Sequence, residues 1–393
     1  MLCCCWRALY CVLVYLVKHE EFEKLQEMMS MSGKFTLWVI HALLGLECIH
    51  AAEPHHDATY SGDTGAQKMK RVIEEEHEIG FIQTLLVHPT PISVQQSDYQ
   101  TIEVYESDHF GKVFLLDEAL QLTERDAPHY NEMLAHVPMM EYLAVQQPDE
   151  GAINALVIGG GDGYVTSELL KYPNVVIDHV DLDKEVINVS KEHFEWSSAW
   201  EDERVNLIVG DGAAFVREQV EKKKKYHVII QDASDPFWYD ENGEKIILPS
   251  HVLYDMKHFD GIYALLEDYN GVFMFQAETY NIPSNLEEIQ TWKKSLEEIG
   301  FDGVRYGSIA IPTYSTGQIG FFVAHVSNKD MVCKSNDGGV CTMDLSAGLI
   351  DWTVVSSQFE KITGTTKYYH PRIHRSAFDL PFWVEKAIYD SKE

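Results

Sequence analysis

Ala155-Leu-Val-Ile158 is an unbroken apolar run that leads straight into Gly159-Gly160-Gly161-Asp162-Gly163. No other feature of the chain restricts its fold as tightly. Clustered glycines let a backbone turn sharply and come close to a ligand, and a turn of this kind joins a strand to the next helix. The sequence downstream keeps that rhythm. Its patterning predicts helices at 166–171, 185–194, 213–220 and 286–299, and strands at 175–181, 205–209, 227–232, 271–276 and 319–324. Strands alternating with helices at this pitch imply βαβ units and a mostly parallel sheet.

The region before this alternation reads differently. Residues 100–106 alternate polar and apolar, residues 112–117 form a second strand, and Ser107 to Gly111 turns between them, which predicts a small antiparallel sheet over 81–123. Apolar spacing predicts a helix over 132–143, capped or kinked by Pro138. The expected domains are an extension at 1–75, a small β domain at 76–147 and a catalytic α/β domain at 148–393. Within the extension, residues 9–17 are apolar but fall short of the roughly 20 residues that span a membrane. Residues 31–52 resemble a secretory signal: a basic start, an apolar stretch and small residues at a cleavage point. The alternative reading is an extension ahead of a cytoplasmic enzyme. Of seven cysteines, Cys3, Cys4, Cys5, Cys11 and Cys48 lie early, with no C-x-x-C pair and no histidines at finger spacing, so no structural zinc is expected. Cleavage near Ala52 would leave Cys333 and Cys341, close enough in sequence for a local disulfide.

Two acidic positions downstream give the Gly-rich loop its meaning. Asp181 ends the next strand, near the spacing of about 20 residues at which a carboxylate accepts from ribose hydroxyls. Gly210-Asp211-Gly212 comes after the third strand, where it would border an adenine. No Gly-Lys-Ser/Thr succeeds the loop, so it does not read as a phosphate cradle. The formal charge of −31 likewise argues against a basic surface for phosphate or nucleic acid. A nucleoside without a bound phosphate fits better, which points to S-adenosylmethionine or a relative. The expected fold is therefore α/β: a Rossmann-like, methyltransferase-type, mostly parallel sheet preceded by the small antiparallel β domain. The fourth strand ends in Gln231-Asp232-Ala233-Ser234-Asp235-Pro236. Ligands of such sheets sit beyond the carboxyl ends of the strands, so Asp162, Asp232 and Asp235 would share one edge. Carboxylates so placed repel unless cations lie between them, and the site looks built for amines.

These residues resemble the polyamine aminopropyltransferases from about Phe81 to Tyr389. The resemblance is carried by residues 120–126, 130–138, the Gly-rich loop, 232–236, 311–320, 367–369 and 374–381. It implies transfer of an aminopropyl group from decarboxylated S-adenosylmethionine, a co-substrate, to putrescine, giving spermidine and methylthioadenosine with no metal or other cofactor. Carried over by motif, Asp232 would accept the proton and Tyr130 would orient the amine. Asp162 and Asp232 would hold the donor's ammonium, Asp181 its ribose, and Asp211 with Gly212 its adenine side. Gln100, Asn131, Gly159 and Gly161 would complete the donor site. Tyr130, Asp232, Asp235, Tyr314 and Glu278 would hold the diamine. The family also implies a homodimer paired through the small β domain. The chain departs from the family pattern at Asn131, where Gln or His is usual, and at Asp181, where Glu is usual. Residues 237–248 replace the usual Gly-Pro loop after Asp235-Pro236, and 328–345 look inserted. A longer acceptor, giving spermine or thermospermine, is the near alternative, although retention of both Asp232 and Asp235 favours the spermidine type. An S-adenosylmethionine-dependent methyltransferase, or a non-catalytic polyamine-binding relative, could use the same sheet.

Overall fold

The computed structural model describes residues 71–78, 81–146, 151–239, 244–267, 270–326 and 350–389. The signal-like segment 31–52 and the Cys333/Cys341 pair lie outside the described residues. Among the described residues, no helix is long and apolar enough to cross a membrane.

Strands β1 (Arg71–Glu78) and β2 (Phe81–Val87) form an antiparallel pair. Strands β3 (Ser93–Gln96), β4 (Thr101–Ser107), β5 (Gly111–Leu116) and β6 (Ala119–Thr123) form an antiparallel meander, each strand paired with the next. Alternation along β4, β5 and β6 buries both faces of that part of the meander, whereas β3 is largely exposed. Ile102, Val104, Phe114 and Leu122 join a cluster with Tyr164, Val186 and Phe194 of the α/β part. Tyr105, Val113 and Leu115 pack with Ile73, Leu85 and Val87 of the β1–β2 pair.

Helix α1 (Ala127–Gln146) comes next in the chain. Its pattern places it with the small β region, yet it packs into the core of the large sheet, where Met133, Leu134, Val137 and Met140 meet Val157, Ile230 and Met274. It is longer than its apolar spacing predicts because it is buried on nearly every side, and Pro138 lies inside it without ending it. Buried Asp126, just before α1, accepts from the Thr313 backbone N–H (3.0 Å) and hydroxyl (2.7 Å). That contact fixes the start of α1, and hence Tyr130, beside the loop that carries Tyr314. Buried Glu132 accepts the backbone N–H groups of Lys367, Tyr368 and Tyr369 at 2.6–2.8 Å, tying the C-terminal segment to the same helix through charge-assisted bonds.

The α/β part runs β7 (Ile153–Gly159), α2 (Tyr164–Leu169), β8 (Val175–Asp181), α3 (Lys184–His193), a 3₁₀ turn (Glu195–Glu201), β9 (Val205–Val209), α4 (Gly212–Glu221) and β10 (Val228–Asp232). A short hairpin of β11 (Phe237–Tyr239) and β12 (Lys245–Ile247) comes next, then α5 (Met256–Leu266), β13 (Val272–Ala277), α6 (Pro283–Ile299), β14 (Asp302–Ala310) and β15 (Gln318–His325). Helices α7 (Trp352–Ile362), α8 (Pro371–Ser376) and α9 (Phe382–Tyr389) close the described chain. The large sheet has the order β9-β8-β7-β10-β13-β15-β14. β7 to β10 and β13 are parallel, β15 runs antiparallel to β13, and β14 antiparallel to β15. β13 and β15 are buried along their whole length, as their continuous apolar runs require. Each fully buried Phe, such as Phe273 or Phe275, contributes roughly 1.5–3 kcal/mol of burial.

The chain reverses direction across the sheet between β7 and β10: β8 and β9 lie on one side, β10 and β13 on the other. A crevice opens at such a switch point, beyond the carboxyl ends of the strands. The Gly-rich loop after β7 and residues 232–235 after β10 form its two lips.

Candidate active site

The two lips touch. The Gly160 N–H donates to the Asp232 carbonyl at 2.8 Å. A Cβ on Gly159 (φ +78°) would lie 2.0 Å from that carbonyl oxygen, and one on Gly160 would lie 2.9 Å from Asp232 Oδ2. Glycine is therefore required here by contact as well as by dihedral angle. Gly161 lies close to Asp181: a Cβ there would stand 2.9 Å from Asp181 Oδ2.

α1 brings the third side of the site. Its Tyr130 hydroxyl donates to Asp232 Oδ1 at 2.7 Å. Asp162 fixes its own carboxylate by accepting from the Tyr164 N–H at 2.8 Å. Asp181 accepts from the Asp183 N–H at 2.9 Å. All three acids are half-buried, and their electrostatics follow from that. Burial, reinforced by the charge of Asp232, pushes Asp162 up to about 8. Burial lifts Asp181 to about 6, with Asp183 and Asp232 adding to it and the backbone N–H groups of Asp183 and Gly161 opposing it. Burial also lifts Asp232 to about 6 against the Tyr130 hydrogen bond. Carboxyl groups held this way resist ionising together until a cation joins them.

A second group of acids lies next to the first. Asp235 accepts from Gln276 Nε2 at 3.0 Å. Buried Glu278 accepts from Asn285 Nδ2 at 3.1 Å, and the Tyr314 hydroxyl approaches the same oxygen at 3.4 Å. Burial raises both carboxyls, Glu278 well above its ordinary range, with the charge of Asp235 adding to the shift at Glu278. Tyr254 connects the two groups. Its hydroxyl donates to Gln276 Oε1 at 2.8 Å, and burial holds its pKa well above the usual phenol value, with the charges of Asp235, Glu278 and Asp232 adding to the effect.

Tyr130, Asp162, Asp181 and Asp232 are thus gathered at one end of the crevice, and Asp235, Glu278 and Tyr314 at the other. Four of the sequence-expected residues make other contacts. The Gln100 side chain donates to Asp183 at 3.0 Å, beside Asp181. Asp211 is exposed and caps α4 by accepting from the Ala214 N–H at 2.9 Å. Gly212, next to it, lies against Ile158, whose Cγ2 would stand 2.6 Å from an added Cβ. Buried Asn131 donates to the Ala127 carbonyl at 3.0 Å in its own helix, and its Oδ1 has no partner. Tyr254, Gln276 and Asn285 belong to no motif that the sequence marks. Gln276 lies near the carboxyl end of β13, so the strand-edge rule that marks Asp232 would have found it too. Tyr254 carries no comparable signal.

A family model described as the spermine/spermidine synthase domain matches residues 127–334, and one described as the spermidine synthase tetramerisation domain matches residues 93–124. The chain belongs to the spermine/spermidine synthase family. It is an aminopropyltransferase, which separates it from the methyltransferases that share this type of sheet. It is 35% identical over 299 residues to spermidine synthase 2 of Arabidopsis thaliana, covering 76% of this chain and 77% of that protein. It is 35% identical to the spermidine synthase of Coffea arabica, covering 76% and 83%. Among solved structures, spermidine synthase from Thermotoga maritima superimposes with a TM-score of 0.64 at 24% identity, covering 82% of this chain and 97% of that one. A spermidine synthase in complex with the transition-state analogue AdoDATO gives 0.65, also at 24% identity, covering 82% and 98%. The fold of this spermine/spermidine synthase family member is the Rossmann-like, methyltransferase-type sheet preceded by a small antiparallel β domain.

Proposed function

We propose that the enzyme transfers the aminopropyl group of decarboxylated S-adenosylmethionine to putrescine, forming spermidine and methylthioadenosine, with Asp232 as the proton acceptor. The observation that carries this reading is the 2.7 Å bond from Tyr130 to Asp232, in a crevice that also holds Asp162 and Asp181. A primary amine has a pKa near 10, judged from lysine, so it reaches the site protonated. Asp232 takes one proton from the attacking nitrogen, and Tyr130 orients that nitrogen. The C–N bond forms as the C–S bond breaks, and the sulfonium leaves as a neutral thioether that needs no acid. The chemistry as proposed calls for no metal. Asp162 and Asp232 hold the donor's ammonium and Asp181 its ribose, and the main contribution to rate is in-line positioning of nitrogen, carbon and sulfur.

Putrescine as acceptor is supported by Asp235 and buried Glu278, two acids that stand with Tyr314 beside the Asp232 group and offer negative charge to a distal ammonium. The names of the plant relatives support the same choice. Incubation of the purified protein with the donor and a panel of amines tests it. Putrescine should give the highest rate of methylthioadenosine release; preference for spermidine would assign the enzyme to spermine or thermospermine formation. The match over residues 93–124 supports self-association, and we propose a homodimer formed through the small β domain.

A further inference from the structure

The 3₁₀ turn Glu195–Glu201 lies behind the Gly-rich loop and grips it at two points. The first is the peptide between Asp162 and Gly163. On one side, the Gly163 N–H donates to the Gly160 carbonyl at 2.9 Å, closing a tight turn with Gly161 and Asp162 at its centre. On the other side, the Asp162 carbonyl accepts from Trp196 Nε1 at 3.1 Å and from Ser197 Oγ at 2.6 Å. The plane of this peptide is therefore held at both edges. Gly163 sits at φ +83°, a conformation from which a glycine-linked peptide rotates easily when nothing holds it. The second point is Gly159. His179 Nε2 donates to its carbonyl at 2.8 Å, while Trp200 Nε1 donates to His179 Nδ1 at 3.0 Å. An indole can only donate, so the imidazole proton must lie on Nε2, facing the loop.

From this arrangement we infer that Trp196 and Ser197 are positioning residues for the donor: by fixing the Asp162–Gly163 peptide they aim the Asp162 carboxylate into the crevice. Neither side chain faces the reacting atoms. Ser197 is fully buried, and Trp196 stacks on Phe194 with ring centres 4.7 Å apart. With both bonds removed, the peptide can rotate about Gly163 and carry the Asp162 side chain out of line with Asp232. The groups around Asp235 are untouched, so the loss falls on the donor and spares the diamine. The inference rests on the proposed binding of the donor at Asp162, Asp181 and Asp232.

The test is the double variant Trp196→Phe/Ser197→Ala, with Ser197→Ala and Ser197→Thr alone as companions. Phenylalanine keeps the stack on Phe194, and threonine keeps the hydroxyl. Binding of decarboxylated S-adenosylmethionine, and of methylthioadenosine, which lacks the ammonium, is measured by calorimetry on the full chain, alongside separate KM values for donor and amine. The double variant should bind decarboxylated S-adenosylmethionine at least 10-fold more weakly and raise the donor KM to match, with methylthioadenosine binding and the amine KM within twofold of the parent. Ser197→Ala should show a smaller loss of the same kind and Ser197→Thr should restore parental binding. Wild-type-like binding of decarboxylated S-adenosylmethionine in the double variant, or in Ser197→Ala should the double variant fail to fold, overturns the inference alone. Equal losses for donor and amine overturn it as well, because they report general damage. If the unmodified protein does not bind decarboxylated S-adenosylmethionine, the donor reading falls and takes this inference with it.

Discussion

Tyr130 and Asp232 stand 102 positions apart in the chain, and the phenol donates to the carboxylate at 2.7 Å. One comes from α1 and the other from the end of β10, so the contact exists only once that helix has packed onto the sheet. A shared position in one core makes the pair rigid enough to hold an incoming nitrogen. Asp232→Asn should therefore lower kcat by about 10²-fold or more, the loss typical of removing a general base. Tyr130→Phe should cost about 10-fold or more while leaving methylthioadenosine binding intact. Steady-state kinetics beside calorimetry checks both.

Binding of a cationic ligand should release protons. Asp162 sits near 8 and Asp232 near 6 in the free protein, as an interacting pair. At pH 7 the pair holds a proton that the donor's ammonium displaces. Calorimetric titration of the donor in buffers of different ionisation enthalpy should show proton release at pH 7, vanishing above about pH 9 and diminished in Asp162→Asn.

The same shift carries a cost in stability. A carboxyl whose folded pKa is raised gives its full contribution below the unfolded value and loses it as pH rises through the folded value. For Asp162 the window runs from about 4 to about 8. Asp162→Asn should thus melt at a higher temperature than the parent at pH 9, with the difference closing toward pH 4. Thermal unfolding across that range is the measurement.

Away from the crevice, Glu141 is fully buried and meets Arg305, His325 and His374, with His325 at 2.6 Å and His374 at 3.0 Å. The Arg305 charge and the two histidine hydrogen bonds hold it well below the usual carboxylate range despite its burial. Glu141→Ala leaves Arg305 without its buried partner and should cost about 3–5 kcal/mol in denaturant unfolding. Methylthioadenosine affinity of the folded fraction should not change.

How much of this is legible in the sequence depends on whether a feature is local. The Gly-rich loop, Asp181 and Asp232 announce themselves because each sits at the end of an apolar run that must be a buried strand. β14 is hidden, since Gly303 and Gly307 interrupt its pattern and its pairing with β15 shifts register between Asp302 and Arg305. Apolar spacing makes α1 too short because a helix buried on all sides has no polar face to mark its ends. Tyr254 and Gln276 reach the site from residues 21 to 41 positions away from their partners, and no local spacing encodes such contacts. Asn131 marks the converse case: its motif is legible, but its amide bonds back to Ala127 in its own helix.

The most direct test measures spermidine and methylthioadenosine together, made from decarboxylated S-adenosylmethionine and putrescine by the parent and by Asp232→Asn. The account predicts equal amounts of the two products from the parent, and a variant that still binds methylthioadenosine but turns over about 10²-fold more slowly. Parental turnover in Asp232→Asn, or a parent that forms neither product, would contradict it.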